Sequence, residues 1–322
     1  MSAAARLRGP VRVEINEVAP RDGLQIEPVV VPTDGKVAFV DALSACGFAR
    51  IEATSFTSAR AIPALADAEA VMHQIQRFPG VRYTVLVPNL RGLERALSCR
   101  PDEVNLVMSA SETHNRANLR MTREQSQAQL LAMIDAANTA GVPVNISLST
   151  VFGCPFEGEV EADAVMALAT SFAEAGAAGI TLCDTTGMAY PTQVAALCER
   201  FQATLPGTGL TIHLHNTRGM GLANALAAWE TGVTRFDAAA GGLGGCPYAP
   251  GASGNVSTED LVHMFDCMGV QTGVSLGALL DAVAGLPALV GRDIHSQLLS
   301  AGPRLRTHQP PAWMAEHFAA HA

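Results

Sequence analysis

Lysine is almost absent from this sequence, and its scarcity excludes two kinds of chemistry. Lys36 is the only lysine among the 322 residues, and it lies in a stretch with helical spacing rather than at the end of a strand. A Schiff-base aldolase of the barrel type needs a lysine at a strand end, and a carboxylated-lysine metal site needs one beside its other ligands. The sequence therefore excludes both mechanisms.

Long apolar runs and paired cysteines are also missing. No run approaches the roughly 18–20 apolar residues that a membrane helix needs, and the opening MSAAARLRGPVRVEI has no apolar core of a secretory signal. The seven cysteines form no C-x-x-C pair, which predicts reduced thiols rather than disulfides or a zinc cluster. A net charge of −9 argues against nucleic acid or an anionic membrane as the main partner. We expect a cytoplasmic protein.

Short apolar runs alternate along the chain with longer segments of helical spacing, several of which close on Gly as helix C-caps do. Eight such units predict a (β/α)8 TIM barrel, because a doubly wound sheet would be expected to carry a phosphate-binding fingerprint after its first strand. We expect one domain over 1–322, with the barrel at about 11–268 and a C-terminal helical extension and tail at 269–322. The predicted strands are 11–18, 48–54, 82–87, 103–108, 144–149, 179–184, 211–216 and 235–240.

Two histidines stand at the end of the seventh run, TIHLHN. Side chains alternate faces along a strand, so His213 and His215 face the barrel interior while Ile212 and Leu214 pack under the helices. Asp22 follows the first run, which neighbours the eighth in a closed barrel, and Asn255 ends the loop after the eighth run. Active sites of such barrels lie at these strand ends. The mixed nitrogen and oxygen set predicts a site for Mg²⁺ or Mn²⁺, with Zn²⁺, Co²⁺ or Fe²⁺ able to compete.

Seven motifs, in order along nearly the whole chain, carry a family resemblance. They are VAPRDGLQ (18–25), IEATSF (51–56), VPNLRG (87–92), GCPFEG (153–158), CDTTG (183–187), HLHNTRGMGLANAL (213–226) and GGLGGCPYAPGASGNVSTEDLV (241–262). Together they resemble the 3-hydroxy-3-methylglutaryl-CoA lyase family, within a broader superfamily of metal-dependent barrel lyases and Claisen-type synthases. The last motif is long and very specific.

The resemblance implies metal-binding, substrate-binding and catalytic roles for residues at the strand ends. The implied metal ligands are Asp22, His213, His215 and Asn255. The implied substrate-binding residues are Arg21, Gln25, Glu52 and Asp184. The implied catalytic residues are Arg21, Asp22, His213 and Cys246, the last on a loop over the site. The resemblance also implies an acyl-CoA substrate and a homodimer.

The chemistry expected from this set is a retro-Claisen cleavage of a 3-hydroxyacyl-CoA. A divalent cation would acidify the 3-hydroxyl, and a base beside it would take the proton; the sequence does not separate Asp22 from His213 for this role. Arg21 would stabilise the enolate of acetyl-CoA, and Cys246 would deliver a proton to carbon, directly or through water. With 3-hydroxy-3-methylglutaryl-CoA the products are acetoacetate and acetyl-CoA.

Other functions are compatible with parts of the pattern. The substrate could instead be citramalyl-CoA or a 3-hydroxyglutaryl-CoA with a longer 3-substituent, because Asn216 stands where animal members of the family carry Asp and because the stretch before GCPFEG also differs. A Claisen-type synthase is disfavoured, since few residues follow Asn255 and such enzymes usually carry a regulatory region there. Biotin-dependent carboxyltransferase barrels depend on a lysine that is missing. An inactive acyl-CoA-binding paralogue would not be expected to retain the full residue set.

Two further expectations concern residues near the site. Asn89 and Arg91, after the third run, are candidates for CoA contacts. Cys154 and Cys183 are interpreted as packing residues.

Overall fold

Eight parallel strands close into a barrel in sequence order in the computed structural model, which describes residues 9–245, 254–294, 296–311 and 313–314. The (β/α)8 barrel predicted from the sequence is thereby confirmed, and each predicted run overlaps a strand. The strands are β1 (Glu14–Glu17), β2 (Arg50–Ser55), β3 (Arg82–Leu86), β4 (Glu103–Ser109), β5 (Val144–Ser149), β6 (Gly179–Asp184), β7 (Gly209–Leu214) and β8 (Arg235–Ala238).

Helices alternate with these strands, and local signals in the sequence set their ends. The longest, α5, begins with a capping box, in which Thr122 and Gln125 each accept a hydrogen bond from the other's backbone N–H. The helices are α1 (Thr33–Ser44), α2 (Ala68–Gln74), α3 (Leu90–Ser98), α4 (Glu112–Leu119), α5 (Arg123–Thr139), α6 (Ala162–Glu174), α7 (Pro191–Thr204), α8 (Gly221–Glu230), α9 (Thr258–Met268), α10 (Leu276–Ala284), α11 (Leu286–Val290) and α12 (Gln297–Ala301).

The apolar core lies between the strands and the helices. Several strands contribute almost fully buried side chains to it, including Ile15, Ile51 and Ile212. The barrel interior below the strand ends is polar instead. Arg50 pairs with Glu103 at 3.2 Å, and Asn145 Nδ2 donates to Asn105 Oδ1 at 3.0 Å. Buried polar groups are tolerated when they are paired in this way, and they form a rigid floor under the site.

Barrel closure brings β1 beside both β2 and β8, as the sequence predicts. Along the β1–β8 pair Asn16 is opposite Asp237, and along the β7–β8 pair His213 is opposite the same residue. Three polar residues from three adjacent strands therefore lie side by side on one face of the sheet.

Helices α10, α11 and α12 follow the barrel, which confirms the predicted C-terminal helices. Arg292, just after α11, donates to both carboxylate oxygens of Glu27, at 2.8 and 2.6 Å. This ion pair fastens the segment after α11 to the loop after β1, which carries predicted site residues. Among the described residues, no helix has both the length and the apolarity to cross a membrane.

Candidate active site

Three buried side chains converge at the C-terminal end of the barrel. One ligand atom each of Asp22, His213 and His215 lies within 4.8 Å of the others, so that together they could hold a metal ion. His213 belongs to β7, and His215 follows it in an isolated bridge with Asn255. The predicted alternation is observed, since Ile212 is buried in the core while both imidazoles line the site cavity.

Asn255 lies beside this group. Its Nδ2 donates to Asp22 Oδ2 at 2.7 Å and to the carbonyl of Leu243 at 2.9 Å. Its Oδ1 is buried and receives no hydrogen bond from any side chain or backbone group that the structure describes. A buried amide oxygen without a donor is costly, and a cation would satisfy it. The donor set therefore fits a divalent metal.

The loop after β1 positions Arg21 and Asp22. Residues Ala19–Gly23 form one wide helical turn, in which Asp22 N donates to the carbonyl of Val18 at 2.7 Å. Only glycine fits at the end of this turn, because a Cβ on Gly23 would lie 2.8 Å from the Cβ of Leu243. This close approach brings the loop after β8 against the loop after β1.

Arg21 is fixed between two carboxylates. Its Nε donates to Glu52 Oε2 at 2.5 Å and its Nη1 to Asp22 Oδ1 at 2.6 Å, while Asn105 Nδ2 donates to the other oxygen of Glu52. Burial by itself lowers the pKa of Arg21, but the two carboxylates outweigh it and raise that pKa. The guanidinium is therefore a permanent, preorganised positive charge beside the metal-type cluster.

The surroundings shift the pKa values of the three cluster residues in different directions. Burial alone raises the pKa of Asp22, but Arg21, the two histidines and the Asn255 bond hold it below its usual value. Burial lowers the pKa of His215 to about 3, so this imidazole is neutral and its lone pair is available to a metal. Burial also lowers the pKa of His213, but the neighbouring Asp237 outweighs that effect and raises it.

A cavity of about 410 Å³ opens above the cluster. Arg21, Asp22, Gln25 and both histidines line it, and Gln25 Nε2 also donates to Asp22 Oδ1 at 2.9 Å. The opposite wall comes from β3 to β6 and α4, with apolar residues such as Leu86 and hydroxyls such as Ser147. Such a mixture suits a ligand with both an apolar part and a carboxylate or hydroxyl.

Glu52 and Asp184, which the sequence predicts as substrate-binding, lie outside the lining of this cavity. Glu52 sits behind Arg21. Asp184 accepts hydrogen bonds from the backbone N–H groups of Met188 and Ala189 at 2.7 and 3.1 Å, and burial raises its pKa to about 6. Glu52 thus supports the site through Arg21, Asp184 holds the backbone after β6, and contact of either carboxylate with substrate stays a prediction.

Several other predicted residues can be placed. Cys246 lies outside the described residues. Asn216 does not line the cavity: its Oδ1 accepts from Gly221 N, at the start of α8. Asn89 caps α3 by accepting from Gly92 N, and with Arg91 it lines a separate cavity of about 280 Å³.

Two residues at the site were missed or interpreted differently from the sequence. Asp237 lines the cavity and contacts His213 Nδ1 at 3.2 Å; its only sequence signal is a carboxylate inside an apolar strand. Cys183 was interpreted as packing, yet it lines the cavity as well as being buried. Lys36 is buried in α1, where its Nζ donates to Ala64 O and Asp67 Oδ1, and it is absent from the cavity lining.

The fold and the site define a TIM-barrel enzyme with a metal-type centre at the carboxyl ends of its strands. The chain belongs to the HMGL-like family, whose model matches residues 12–284, and it is accordingly a carbon–carbon lyase.

Individual relatives support this assignment. The chain is 44% identical to hydroxymethylglutaryl-CoA lyase YngG of Bacillus subtilis over 290 residues, covering 90% of this chain and 97% of the relative. It is 43% identical to (R)-citramalyl-CoA lyase of Chloroflexus aurantiacus, with 90% and 95% coverage. A solved HMG-CoA lyase from Acinetobacter baumannii, in complex with coenzyme A and 3-methylmalate, superposes with a TM-score of 0.90 at 48% identity, covering 94% of this chain and 98% of that one.

Proposed function

We propose that this protein is a divalent-metal-dependent lyase that cleaves 3-hydroxy-3-methylglutaryl-CoA to acetoacetate and acetyl-CoA. The observation that carries the proposal is the convergence of Asp22, His213 and His215 beside Arg21 at one end of the cavity, next to an Asn255 whose Oδ1 has no donor among the described residues. Mg²⁺ or Mn²⁺ suits this set, and Zn²⁺ or Co²⁺ could compete. We further propose a cytoplasmic homodimer with an acyl-CoA substrate as its main partner.

A bound divalent ion would acidify the substrate hydroxyl and orient the breaking C–C bond. The chain supplies the remaining functions. Arg21, held by Glu52 and Asp22, presents a fixed positive charge where the enolate oxygen develops. Asp22 and His213 are the two candidate bases. Arg21, Gln25 and Asn255 all donate to Asp22, which weakens it as a base, and His213 could take a proton only at a ring nitrogen that does not bind the metal.

Cys246 is proposed to return the proton to the enolate carbon. The described part of its loop supports this, because Gly245 lines the cavity directly before it. We expect Cys246→Ala to lower kcat by about 100-fold or more, in the range of a lost general acid, while leaving Mn²⁺ affinity and the melting temperature unchanged. Cys267→Ala, at an exposed cysteine on α9, is the matched control. A fully active Cys246→Ala enzyme would remove this residue from the mechanism.

Related substrates are the second candidate. One relative is a citramalyl-CoA lyase, and a solved relative holds coenzyme A and 3-methylmalate. Citramalyl-CoA is, like the first candidate, a tertiary alcohol with one free carboxylate besides its thioester, so the same site could cleave it to pyruvate and acetyl-CoA. A longer 3-substituted 3-hydroxyglutaryl-CoA would need more of the apolar wall around Leu86 and Val107.

A panel of acyl-CoA thioesters tests the proposal. Metal-depleted protein would be assayed for acetyl-CoA release from 3-hydroxy-3-methylglutaryl-CoA, citramalyl-CoA and a longer 3-substituted analogue, without metal and with Mg²⁺ or Mn²⁺. We expect release only with metal, with the highest kcat/KM for the methylglutaryl compound. Release that is indifferent to metal, or no release from any compound, would contradict the proposed function.

A further inference from the structure

Asp237 joins three strands through its two carboxylate oxygens. Oδ2 lies 3.2 Å from Nδ1 of His213 on β7, and Oδ1 accepts from Nδ2 of Asn16 on β1 at 2.8 Å. The side chain of Asp237 is only 12% exposed. Because both contacts are between residues directly opposite in register, the fixed geometry of the closed barrel holds this carboxylate in place.

An ionised carboxylate accepts hydrogen bonds and cannot donate them. The nitrogen that faces it must therefore carry the proton, which leaves the other ring nitrogen of His213 with a free lone pair. We propose that Asp237 is a positioning residue that holds His213 in the Nδ1–H tautomer, so that Nε2 is presented to the divalent ion. The inference rests on the metal site of the proposed function and extends it to a residue on β8.

Asn16 helps to orient the Asp237 carboxylate. Its Nδ2 occupies Oδ1 of Asp237, so the carboxylate cannot rotate away from His213 without losing a buried hydrogen bond. Orienting groups of this kind typically change metal affinity by about 10- to 100-fold when they are removed.

His215 provides an internal contrast. Its Nδ1 is buried and has no hydrogen-bond partner among the residues that the structure describes. The orientation of this ring depends on packing and on the bridge between His215 and Asn255. The two imidazoles are thus held by different means, and of the two only His213 contacts Asp237.

The isosteric variant Asp237→Asn tests the proposal. The amide can turn its NH₂ group towards Nδ1 and thereby select the Nε2–H tautomer, which cannot bind a metal through Nε2. We expect the Mn²⁺ affinity of the metal-depleted protein to fall by about 10- to 100-fold, with circular dichroism and melting temperature close to those of the wild type. Asp135→Asn, at an exposed position of α5, removes the same charge and should leave the affinity unchanged.

Nitrogen-15 NMR of the wild-type protein tests the tautomer without any variant. We expect the proton of His213 on Nδ1, with its signals assigned by their loss in His213→Asn. A neutral imidazole with its proton on Nε2, or wild-type Mn²⁺ affinity in folded Asp237→Asn protein, would overturn the proposal while leaving the metal site intact. If the wild-type protein itself bound no Mn²⁺, the metal site of the proposed function would be wrong and this inference with it. If Asp237→Asn failed to fold, the NMR result would decide.

Discussion

At the scale of single residues, hydrogen bonds hold the side chains of the site and leave some of their atoms available to a ligand. Asn255 has both N–H groups engaged while its oxygen has no donor among the residues that the structure describes, and Asp22 accepts from three side chains yet still lines the cavity. Arg21 is saturated by Glu52 and Asp22 on one side. Because their hydrogen bonds fix these side chains, a ligand meets a preorganised arrangement, which minimises the cost of ordering on binding.

Removal of one imidazole should separate metal binding from folding. We expect His215→Ala to lose more than about 100-fold in Mn²⁺ affinity, since even orienting groups behind a ligand contribute about 10- to 100-fold. The measurement is metal content and equilibrium Mn²⁺ binding of the purified protein. His73→Ala, at an exposed position of α2, should bind as the wild type does. Unchanged metal content in folded His215→Ala protein would refute the ligand assignment.

At the scale of elements, the strand ends and the loops after them decide the site. The loop after β8 passes close to both Asp22 and Asn255: a Cβ on Gly244, whose φ is +91°, would lie 2.5 Å from Asn255 Nδ2 and 3.2 Å from Asp22 Oδ2. Gly245, next along the chain, would place a Cβ against only the flexible end of Ile26, at 3.3 Å. A side chain at position 244 would therefore disturb the two ligand residues, whereas one at position 245 would not.

This difference predicts contrasting effects of the same substitution. Gly244→Ala should destabilise the fold by about 1–3 kcal/mol through positive-φ strain and should weaken Mn²⁺ binding by displacing the two ligands. Gly245→Ala should do neither to a comparable degree. Urea denaturation and Mn²⁺ titration of both variants measure these effects. Equal behaviour of the two variants would show that the loop does not constrain the ligands.

At the scale of the whole molecule, a buried carboxyl connects the beginning of the barrel to its end. Glu17 Oε1 accepts from the backbone N–H groups of Ala19 and Ala240, and its Oε2 pairs with Thr258 Oγ1. Burial raises the pKa of Glu17 from 4.5 to about 8. Because the folded pKa is the higher one, the folded state binds an extra proton between these two values, and this contribution to stability falls as pH rises from 4.5 to about 8.

Glu17→Gln should flatten this part of the pH profile. The amide oxygen can keep both backbone donors, and its NH₂ can donate to Thr258 Oγ1, so the neutral side chain retains the native contacts. We expect the free energy of unfolding of the wild type to fall relative to the variant by an amount on the order of 1 kcal/mol per pH unit within the window. Urea denaturation at several pH values between 4.5 and 8 measures it, with the exposed Glu124→Gln as the control. Parallel profiles of wild type and Glu17→Gln would contradict the prediction.

Strand positions were predictable from the sequence, but strand ends were less so. The eighth run was predicted over 235–240, yet β8 ends at Ala238, because Ala239 pairs with Val256 and Ala240–Gly242 turns into a short helix. The first run was predicted over 11–18, yet β1 begins only at Glu14, because Val13 N donates to the carbonyl of Gln271. Partners that are distant in the chain made these differences, and apolar periodicity carries no information about them.

The sequence by itself determined the alternation of strands and helices, and it placed His213 and His215 on one face of β7, because both follow from periodicities within a few residues. It also excluded lysine chemistry, because the only lysine, Lys36, lies in a stretch with helical spacing rather than at a strand end. Only the tertiary structure decided that Glu52 lies behind Arg21 and that Asp237 lies between Asn16 and His213. It also decided that Asn255 uses its Nδ2 for hydrogen bonds while its Oδ1 has no donor among the described residues. These contacts depend on register and barrel closure, which are fixed by the packing of the complete chain and not by any local stretch of it.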